Sequence, residues 1–311
     1  MEFNYIRVRN SNIKYYNKVP LYTKHNGRYL LYKPGGITLA QMRVREQRYP
    51  SVLYISGDDR LEGIQEAQKG FNRQIETHVR TGDIKKMKAV LIDLMEETLS
   101  EPRSGSLEGV SETMDILVRE YASHNDIVNR LVDMSYTDYS TVLHSINVMA
   151  FALGFASFLG YSQEETKILG LCSLLHDVGK TKIEKEILVA PRMLTLTEFE
   201  EMKRHTTIGF DLLRTCKFED RRISLTALEH HEKLDGSGYP LNKRSICETA
   251  QIVGLIDCYE ALTNDERPYR RAAPPFDVLK DYIGRDVIEG KFSKQLYACF
   301  VKSIGAFESA A

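Results

Sequence analysis

The sequence contains no tryptophan, and its five cysteines, at positions 172, 216, 247, 258 and 299, form no close pair. Cysteines with this spacing predict neither a zinc ribbon nor a disulfide framework, and they suit a reducing compartment. Acidic and basic residues nearly balance and leave a formal net charge of -1. This balance argues against binding to a nucleic-acid polymer through bulk electrostatics, although it leaves room for a local basic pocket that binds a small anion.

The N-terminus has neither the basic start nor the apolar core of a signal peptide, so we expect a cytoplasmic protein. One apolar stretch, residues 142–161, is interrupted by polar side chains at 144, 145, 147 and 157. A helix that spans a membrane needs about 20 predominantly apolar residues. We therefore predict a buried core helix that carries polar ligands near its N-terminal end, and no membrane span.

The first part of the chain predicts a small α+β domain over residues 1–80. Asn26-Gly27 is the preferred two-residue hairpin turn, and extended stretches flank it. No group of residues that could form a catalytic site is visible in this part of the chain, so we expect this domain to have a regulatory or packing role. The predicted elements are strands at 19–25 and 28–33, a helix near 38–47, a strand at 52–55 and a helix that begins after Asp58-Asp59.

Residues 81–135 predict a helical linker. After Asp83, which we expect to be the N-cap, apolar residues recur at helical spacing. A second amphipathic run begins at Val110. That second run could pack within the chain or against a second copy in a homodimer. Residues 136–311 read as almost entirely helical, with loops at Gly160, 179–191 and 236–243. The predicted fold class is therefore mostly α: an all-helical domain preceded by a small α+β domain and a helical linker.

The most informative feature is a set of imidazoles and carboxylates in the second half of the chain. Five of the eight histidines lie between positions 144 and 231. Neutral imidazole and carboxylate hold first-row divalent metals at neutral pH, and seven such groups exceed the needs of one four-coordinate ion. We therefore predict two metals that share one carboxylate. The candidate ligands are His144, His176, Asp177, His205, His230, His231 and Asp257.

His176-Asp177 closes an apolar run and precedes a glycine, so we expect the pair where a buried helix ends. Adjacent helical residues point about 100° apart, and they do not easily chelate one ion. Asp177 has two oxygens and can bridge a metal beside His176 to a second metal. Two dications acidify a bridging water to a hydroxide nucleophile, and this chemistry suits the hydrolysis of phosphoesters.

These motifs carry a resemblance to a known family. His176-Asp177 together with residues 230–240, HHEKLDGSGYP, resembles the HD-GYP family, bacterial signalling hydrolases of the HD-domain superfamily that act as cyclic-di-GMP phosphodiesterases. The resemblance covers roughly residues 136–285 and leaves the N-terminal domain outside. It implies a metal-dependent phosphodiesterase that hydrolyses cyclic-di-GMP to pGpG, with possible further hydrolysis to GMP.

The resemblance also implies a role for each matching position. His144, His176, Asp177 and Asp257 would hold one metal, and Asp177, His205, His230 and His231 the other. Iron or manganese is usual in this family. The implied ligand-binding residues are Lys180 beside the scissile phosphate, Arg267 and Arg270 on the second phosphate, and Tyr239 near the ligand, in a turn permitted by Gly236 and Gly238.

One position departs from the family pattern. Many members carry a glutamate four residues before the first histidine, which supports a third metal, and Ser140 stands there in this chain. Asp138 is six residues from His144, about 120° round a helix, and is a poor substitute. We therefore predict a two-metal site, and we expect hydrolysis to stop at pGpG.

Two other functions stay open at this level. The chain could hydrolyse another nucleotide, as other HD-superfamily phosphohydrolases do. It could also be a module that senses cyclic-di-GMP with little turnover, or that contacts a diguanylate cyclase or another signalling protein through the Tyr239 loop. The intact ligand set favours an enzyme, because a pure sensor has no physical need for a centre that generates hydroxide.

Overall fold

The computed structural model describes residues 4–9, 11–42, 50–123, 141–264 and 272–310. An antiparallel sheet lies near the N-terminus, and helices form most of the remaining described chain. The strands are β1 (Tyr5–Arg7), β2 (Leu21–His25), β3 (Arg28–Lys33) and β4 (Tyr54–Ser56), in the sheet order β1-β4-β2-β3. The mostly α fold class is confirmed, with the small α+β unit at the N-terminus.

The helices are numbered in chain order over the described residues. The N-terminal ones are α1 (Leu39–Met42), α2 (Arg60–Arg80), α3 (Ile84–Leu99) and α4 (Val110–Ser123). The C-terminal ones are α5 (Thr141–Phe158), α6 (Gln163–Leu175), α7 (Lys185–Leu188), α8 (Leu196–Arg214), α9 (Arg222–Glu229), α10 (Glu248–Thr263), α11 (Pro275–Asp277), α12 (Gly284–Ile288) and α13 (Lys294–Ala310). A π-helical turn, Val278–Ile283, joins α11 to α12.

Local sequence signals explain where several elements begin. Asn26 and Gly27 both adopt positive φ angles, 46° and 79°, which is the backbone that a tight hairpin turn requires between β2 and β3. Asp83 caps α3 by accepting a hydrogen bond from the Lys86 amide at 3.2 Å. The predicted strand at 52–55 is found slightly later, as β4. The predicted helix near 38–47 begins as α1, and residues 43–49 lie outside the described part.

The segment 179–191 is not the plain loop that we predicted. It contains a 3₁₀ turn, Val178–Lys182, and the short helix α7. Ile183 and Ile187 are both buried, so two apolar side chains four residues apart anchor this segment to the domain. A single pair at helical spacing is too short a signal to identify from the sequence.

The N-terminal sheet, α2–α4 and the C-terminal helices share one apolar core. Buried apolar side chains form a continuous cluster from Val8 to Ile304. Glu97 on α3 accepts hydrogen bonds from Tyr16 at 2.8 Å and from Arg60 on α2 at 2.5 Å, which ties the sheet region to α3. Helix α4 packs on α2 and α6, so its apolar face is used within the chain. The boundaries 1–80, 81–135 and 136–311 stay predictions.

Helix α5 is the centre of the C-terminal bundle, where it contacts α3, α6, α10 and α13. By length and composition it is the one helix of the described chain that is apolar enough to cross a membrane. The fold buries 78% of that helix, as expected of the predicted core helix. Its N-terminal turns hold His144 in the centre of the bundle.

Candidate metal centre

The helix end that carries His176 and Asp177 lies at the centre of the site. Helix α6 ends at Leu175, and both residues are buried immediately after it. The His176 Nδ1 atom lies 2.6 Å from the Ser173 carbonyl oxygen, one turn earlier. This hydrogen bond places the proton on Nδ1 and leaves the Nε2 lone pair for a ligand. The predicted position at the end of a buried helix is confirmed.

Two glycines let the other ligand-bearing segments approach closely. A Cβ atom on Gly179 would lie only 1.9 Å from the His205 carbonyl oxygen. A Cβ atom on Gly254 of α10 would lie 2.2 Å from the His230 carbonyl oxygen. Any side chain at either position would push a histidine away, because real Cβ atoms do not approach that closely. Glycine at these positions therefore determines the distance between the ligands.

The imidazoles of His205 on α8 and of His230, which directly follows α9, are oriented in the same way as His176. The His205 Nδ1 atom lies 2.7 Å from the Met202 carbonyl oxygen. The His230 Nδ1 atom lies 3.1 Å from two carbonyl oxygens of the preceding turn. Each ring donates its Nδ1 proton to its own helix, so each Nε2 atom points away from the backbone as a free electron-pair donor.

His144 on α5 is oriented by a carboxylate instead. Its Nδ1 atom lies 2.5 Å from Glu260 on α10, and its Nε2 atom lies 3.0 Å from Asp257 on the same helix. Asp257 and Glu260 are three residues apart, so both project from one face of α10. Asn147 and Asn264 also donate to Glu260, at 2.8 and 2.9 Å, and hold that carboxylate in place.

Asp177 lies between two groups of potential ligand atoms. Its Oδ2 atom is 3.4 Å from His176 Nε2 and 3.7 Å from His144 Nε2. Its Oδ1 atom is 3.3 Å from His205 Nε2 and 3.8 Å from His230 Nε2. Each oxygen therefore faces a different pair of imidazoles. Ligand atoms within 4.8 Å of one another form two groups, His144-His176-Asp177 and Asp177-His205-His230-His231.

Asp257 connects the two groups on another side. Its Oδ1 atom contacts His144, and its Oδ2 atom lies 3.8 Å from His231 Nδ1. The structure thus brings all seven predicted ligands together, although they come from five separate segments of the chain. The two groups contain three members of the first set that the resemblance implied and all four of the second, with Asp177 in both; Asp257, the remaining member, lies beside His144 and His231.

Asp177, His205 and His230 have protonation states that suit metal binding. Burial alone would raise the pKa of Asp177, but the Lys180 ammonium and the His176 ring outweigh it and hold that pKa well below its ordinary value. Burial lowers the pKa of His205 to about 4 and that of His230 to about 3. At neutral pH these imidazoles are therefore uncharged, and the bridging carboxylate is ionised.

Two buried atoms show that the cluster suits cations. His176 Nε2 and Asp177 Oδ1 form no hydrogen bond with any described residue, although neither is exposed to solvent. A buried polar atom without a partner costs roughly 1–3 kcal/mol, and more when it is charged. A divalent metal on each side of Asp177 would remove this cost, and imidazole with carboxylate is a suitable donor set. The residues present therefore fit a divalent metal site.

A cavity of about 630 Å³ opens onto this cluster. Lys180, His205, His231 and Asp257 lie along its polar side. The volume falls within the range of pockets that bury small organic ligands, roughly 300–1,000 Å³. The apolar side comes from α7, the first turns of α8 and the segment between them, and is lined by Ile187, Leu188, Ala190, Met193, Leu194, Leu196, Phe199 and Met202.

Comparison with known proteins identifies the family. The family model described as HD domain matches residues 114–283, which is more than half of the chain. The chain belongs to the HD-domain family. The HD domain thus accounts for the histidine and aspartate cluster, and the match begins within α4, ahead of the first metal ligand.

Several relatives are phosphodiesterases of cyclic dinucleotides. The chain is 30% identical over 199 residues to the cyclic di-GMP phosphodiesterase PA4108 of Pseudomonas aeruginosa, covering 63% of this chain and 47% of that protein. It is 42% identical over 120 residues to the cyclic di-GMP phosphodiesterase response regulator RpfG of Xanthomonas campestris, covering 38% of this chain and 32% of that protein. These matches confirm the resemblance to the HD-GYP family. The chain spans half or less of the length of these relatives.

Other relatives act on a different cyclic dinucleotide. The chain is 33% identical over 165 residues to the 3'3'-cGAMP-specific phosphodiesterase 1 of Vibrio cholerae, covering 52% of this chain and 38% of that protein. Among solved structures, Bd1817, an HDG"Y"P protein from Bdellovibrio bacteriovorus, superposes with a TM-score of 0.65 at 17% identity. That match covers 97% of this chain and 100% of the Bdellovibrio chain, and it shows a shared fold.

Two of the other residues predicted to bind the ligand, Lys180 and Tyr239, lie within the described part of the chain. Lys180 lines the cavity, and its ammonium lies 2.5 Å from Asp177 Oδ2. Tyr239 does not line the cavity; its ring packs 4.7 Å from the His231 ring and near Phe199. The glycine-rich loop folds back on the histidines and so turns this ring towards a metal ligand. Arg267 and Arg270 lie outside the described residues, as do Ser140 and Asp138.

The sequence alone assigned no role to two buried glutamates of the HD domain. Glu260 orients His144 through its Nδ1 atom. Glu232 is 4% exposed and accepts hydrogen bonds from the Leu241 and Lys243 amides at 2.5 and 3.1 Å, which anchors the glycine-rich loop. Glu232 lies inside the 230–240 motif, and Glu260 stands three residues after Asp257. The helical spacing was a usable signal for Glu260, whereas no local pattern indicates the partners of Glu232.

Proposed function

We propose that the chain is a metal-dependent cyclic-di-GMP phosphodiesterase. The observation that carries the proposal is the shared carboxylate: each oxygen of Asp177 faces its own pair of imidazoles, and a ligand-sized cavity reaches this cluster at His205, His231 and Asp257. Relatives whose names state this activity are 30% identical over 199 residues and 42% identical over 120 residues of the alignment with this chain. The proposed ions are two divalent metals, iron or manganese.

The protein residues would bind the metals, stabilise negative charge on the substrate phosphate and exclude water. Two bound dications would supply Lewis acidity towards the phosphate and would make a water acidic enough to be a nucleophile at neutral pH. Asp177 would hold both ions, and its low pKa keeps it ionised. Lys180 would stabilise negative charge on the phosphate, because its ammonium lies at the cavity wall beside Asp177. The apolar wall of α7 and α8 would exclude bulk water.

The product is expected to be pGpG. This expectation rests on Ser140, which stands where many family members carry a glutamate for a third metal. Chromatography of the products over time tests it, and rapid accumulation of GMP would contradict it. The N-terminal region is proposed to regulate or localise the enzyme in the cytoplasm. A diguanylate cyclase or another signalling protein is a proposed partner of the Tyr239 loop, and a homodimer is a further proposed assembly.

A second candidate substrate is 3'3'-cGAMP. The specific observation in its favour is the 33% identity to a Vibrio cholerae phosphodiesterase named for that substrate. The two dinucleotides differ in one base, so the metal cluster alone does not discriminate between them. The base must be read by other parts of the cavity, and kcat/KM measured for both substrates ranks them.

The deciding experiment is turnover by the protein reconstituted with Mn²⁺, or with Fe²⁺ under anaerobic reducing conditions. We expect the wild type to linearise cyclic-di-GMP, and Asp177→Ala to lose bound metal and activity together. Binding of intact cyclic-di-GMP without turnover would favour a sensor. An Asp177→Ala variant that keeps both metal and activity would show that Asp177 is not a bridge.

A further inference from the structure

Part of the apolar wall of the cavity is open to solvent. Met193 and Leu196 are each 86% exposed, and Phe199 is 42% exposed. All three line the cavity. The capping box between Thr195 and Glu198 fixes the start of α8, so this exposed wall has a defined position. Adjoining apolar side chains that are left in water mark a surface that a ligand or a partner covers.

Phe199 supplies the aromatic ring of this wall. Among the phenylalanines and tyrosines of the described chain, it alone lines the cavity. The Tyr239 ring packs nearly at right angles to it, with 6.2 Å between the ring centres. The Lys203 ammonium lies 4.9 Å from the centre of the Phe199 ring. Because these two neighbours hold the ring, a ligand that stacks on it loses little affinity to ordering of the side chain.

The distance from the Phe199 ring to the metal cluster suits one nucleotide. Phe199 and His205 lie six residues apart on α8, which is about 9 Å along the helix axis. Met202 lines the wall between them. In a nucleotide the sugar separates the phosphate from the base by a comparable length, so a phosphate at the metal cluster brings its base to the apolar wall. We propose that Phe199 stacks on a base of the cyclic dinucleotide and so positions the scissile phosphate at the cluster.

A nucleobase suits both sides of the cavity at once. It is flat and aromatic, as stacking on Phe199 requires, and it is joined to a phosphate that suits the metal ligands and Lys180. A peptide segment would cover the apolar wall but would bring no phosphate to the polar side. Stacking on an aromatic side chain accepts every base, because each base has a π-face. The contact therefore supplies affinity, and other side chains must choose between guanine and adenine.

This inference rests on the proposed function, and its test adds GMP and ribose 5-phosphate to the substrate. These two compounds share a sugar and a phosphate and differ in the base. Loss of one stacking ring lowers affinity by about five- to hundredfold. We expect Phe199→Ala to raise KM for cyclic-di-GMP by that factor. Equilibrium dialysis with the Mn²⁺-loaded protein should show the same rise in Kd for GMP and an unchanged Kd for ribose 5-phosphate.

Three controls define the role of the ring. Phe199→Tyr keeps an aromatic ring and should bind GMP as the wild type does. Phe158→Ala removes a phenylalanine at the end of α5 that is also 42% exposed but does not line the cavity, and it should leave KM and both Kd values unchanged. The metal content of Phe199→Ala should equal that of the wild type, because Phe199 offers no ligand atom.

The outcomes distinguish the inference from the proposed function. Wild-type turnover of cyclic-di-GMP with an unchanged KM in Phe199→Ala would overturn the inference and leave the proposed function standing. Wild-type protein that binds GMP no more tightly than ribose 5-phosphate would also overturn it. A parallel loss of GMP and ribose 5-phosphate binding, or a lowered metal content, would show that Phe199 only supports Tyr239 and His231. If the wild type does not turn over cyclic-di-GMP, the proposed function fails and the inference fails with it.

Discussion

The close contact between Gly179 and α8 gives the sharpest prediction. A Cβ atom at position 179 would lie 1.9 Å from the His205 carbonyl oxygen, and ordinary contacts begin near 3.4 Å, so Gly179→Ala must separate the two segments by about 1.5 Å. Both sides of the contact are backbone, and neither can move away as a flexible side chain would. Overpacking of this kind costs about 1–3 kcal/mol of unfolding free energy, and sometimes more.

The same separation should damage the site, because it acts directly on a metal ligand. Active-site groups must be held within about 0.5 Å, and a shift of about 1 Å can cost a hundredfold in rate. We therefore expect Gly179→Ala to lose at least tenfold in kcat/KM per folded molecule and to bind less metal. Differential scanning calorimetry, metal analysis after gel filtration and cyclic-di-GMP turnover measure the three quantities.

Substitutions of two other glycines serve as controls for this prediction. A Cβ atom on Gly209 would lie 3.4 Å from the Ala227 Cβ atom, which is tight but tolerable, and one on Gly305 in α13 would meet open space. Gly209→Ala should have a small effect, and Gly305→Ala should stabilise the protein by about 0.5–1 kcal/mol through helix propensity. Wild-type stability and activity in Gly179→Ala would refute the reasoning. A loss of stability alone, with activity and metal content intact, would refute only the link to the site.

The cluster gives three further predictions. Burial alone would lower the pKa of His144, but Glu260 and Asp257 raise it to about 10, so metal loading at pH 7 should release about one proton per chain. Calorimetry in buffers of different ionisation enthalpy counts that proton, and Glu260→Gln should reduce the count. The metal-free protein should lose stability as the pH falls from about 6.5 towards about 4. Burial holds the pKa values of His205 and His230 in the folded protein at about 4 and about 3. In the unfolded chain the same imidazoles bind a proton near pH 6.5, so acid favours unfolding. Each of these two imidazoles should lower the free energy of unfolding by about 1–2 kcal/mol at pH 5, and urea unfolding at several pH values measures this loss. Tyr239→Phe should keep the metal affinity because the ring remains, whereas Tyr239→Ala should weaken it by freeing the imidazole on which the ring packs.

Much of the site could be predicted from the sequence because its chemistry depends on residue type. Imidazole and carboxylate are the donors that divalent metals prefer, so the accumulation of His144, His176, His205 and their neighbours was informative before any fold was known. The hairpin at Asn26-Gly27 and the cap at Asp83 were equally accessible, because turns and caps depend on a few adjacent residues.

The orientation of the ligands was not accessible in this way. Glu260 is 116 residues from His144 in the chain, yet their side chains form one of the main contacts of the site. The direction in which Tyr239 points also depended on tertiary packing, since the loop places its ring on His231 and not in the cavity wall. The spacing of Asp257 and Glu260 indicates a shared helix face, but the local pattern of residues identifies neither His144 nor His231 as the partner in these contacts.

The sequence by itself determined which atoms could bind metal and roughly which helices carry them, because side-chain chemistry and helical spacing are local properties. Only the tertiary structure decided that the two oxygens of Asp177 face different imidazole pairs, and that His205, His231 and Asp257 border one cavity. The physical reason is the packing of backbone on backbone at Gly179 and Gly254, which brings segments from distant parts of the chain to within reach of one carboxylate.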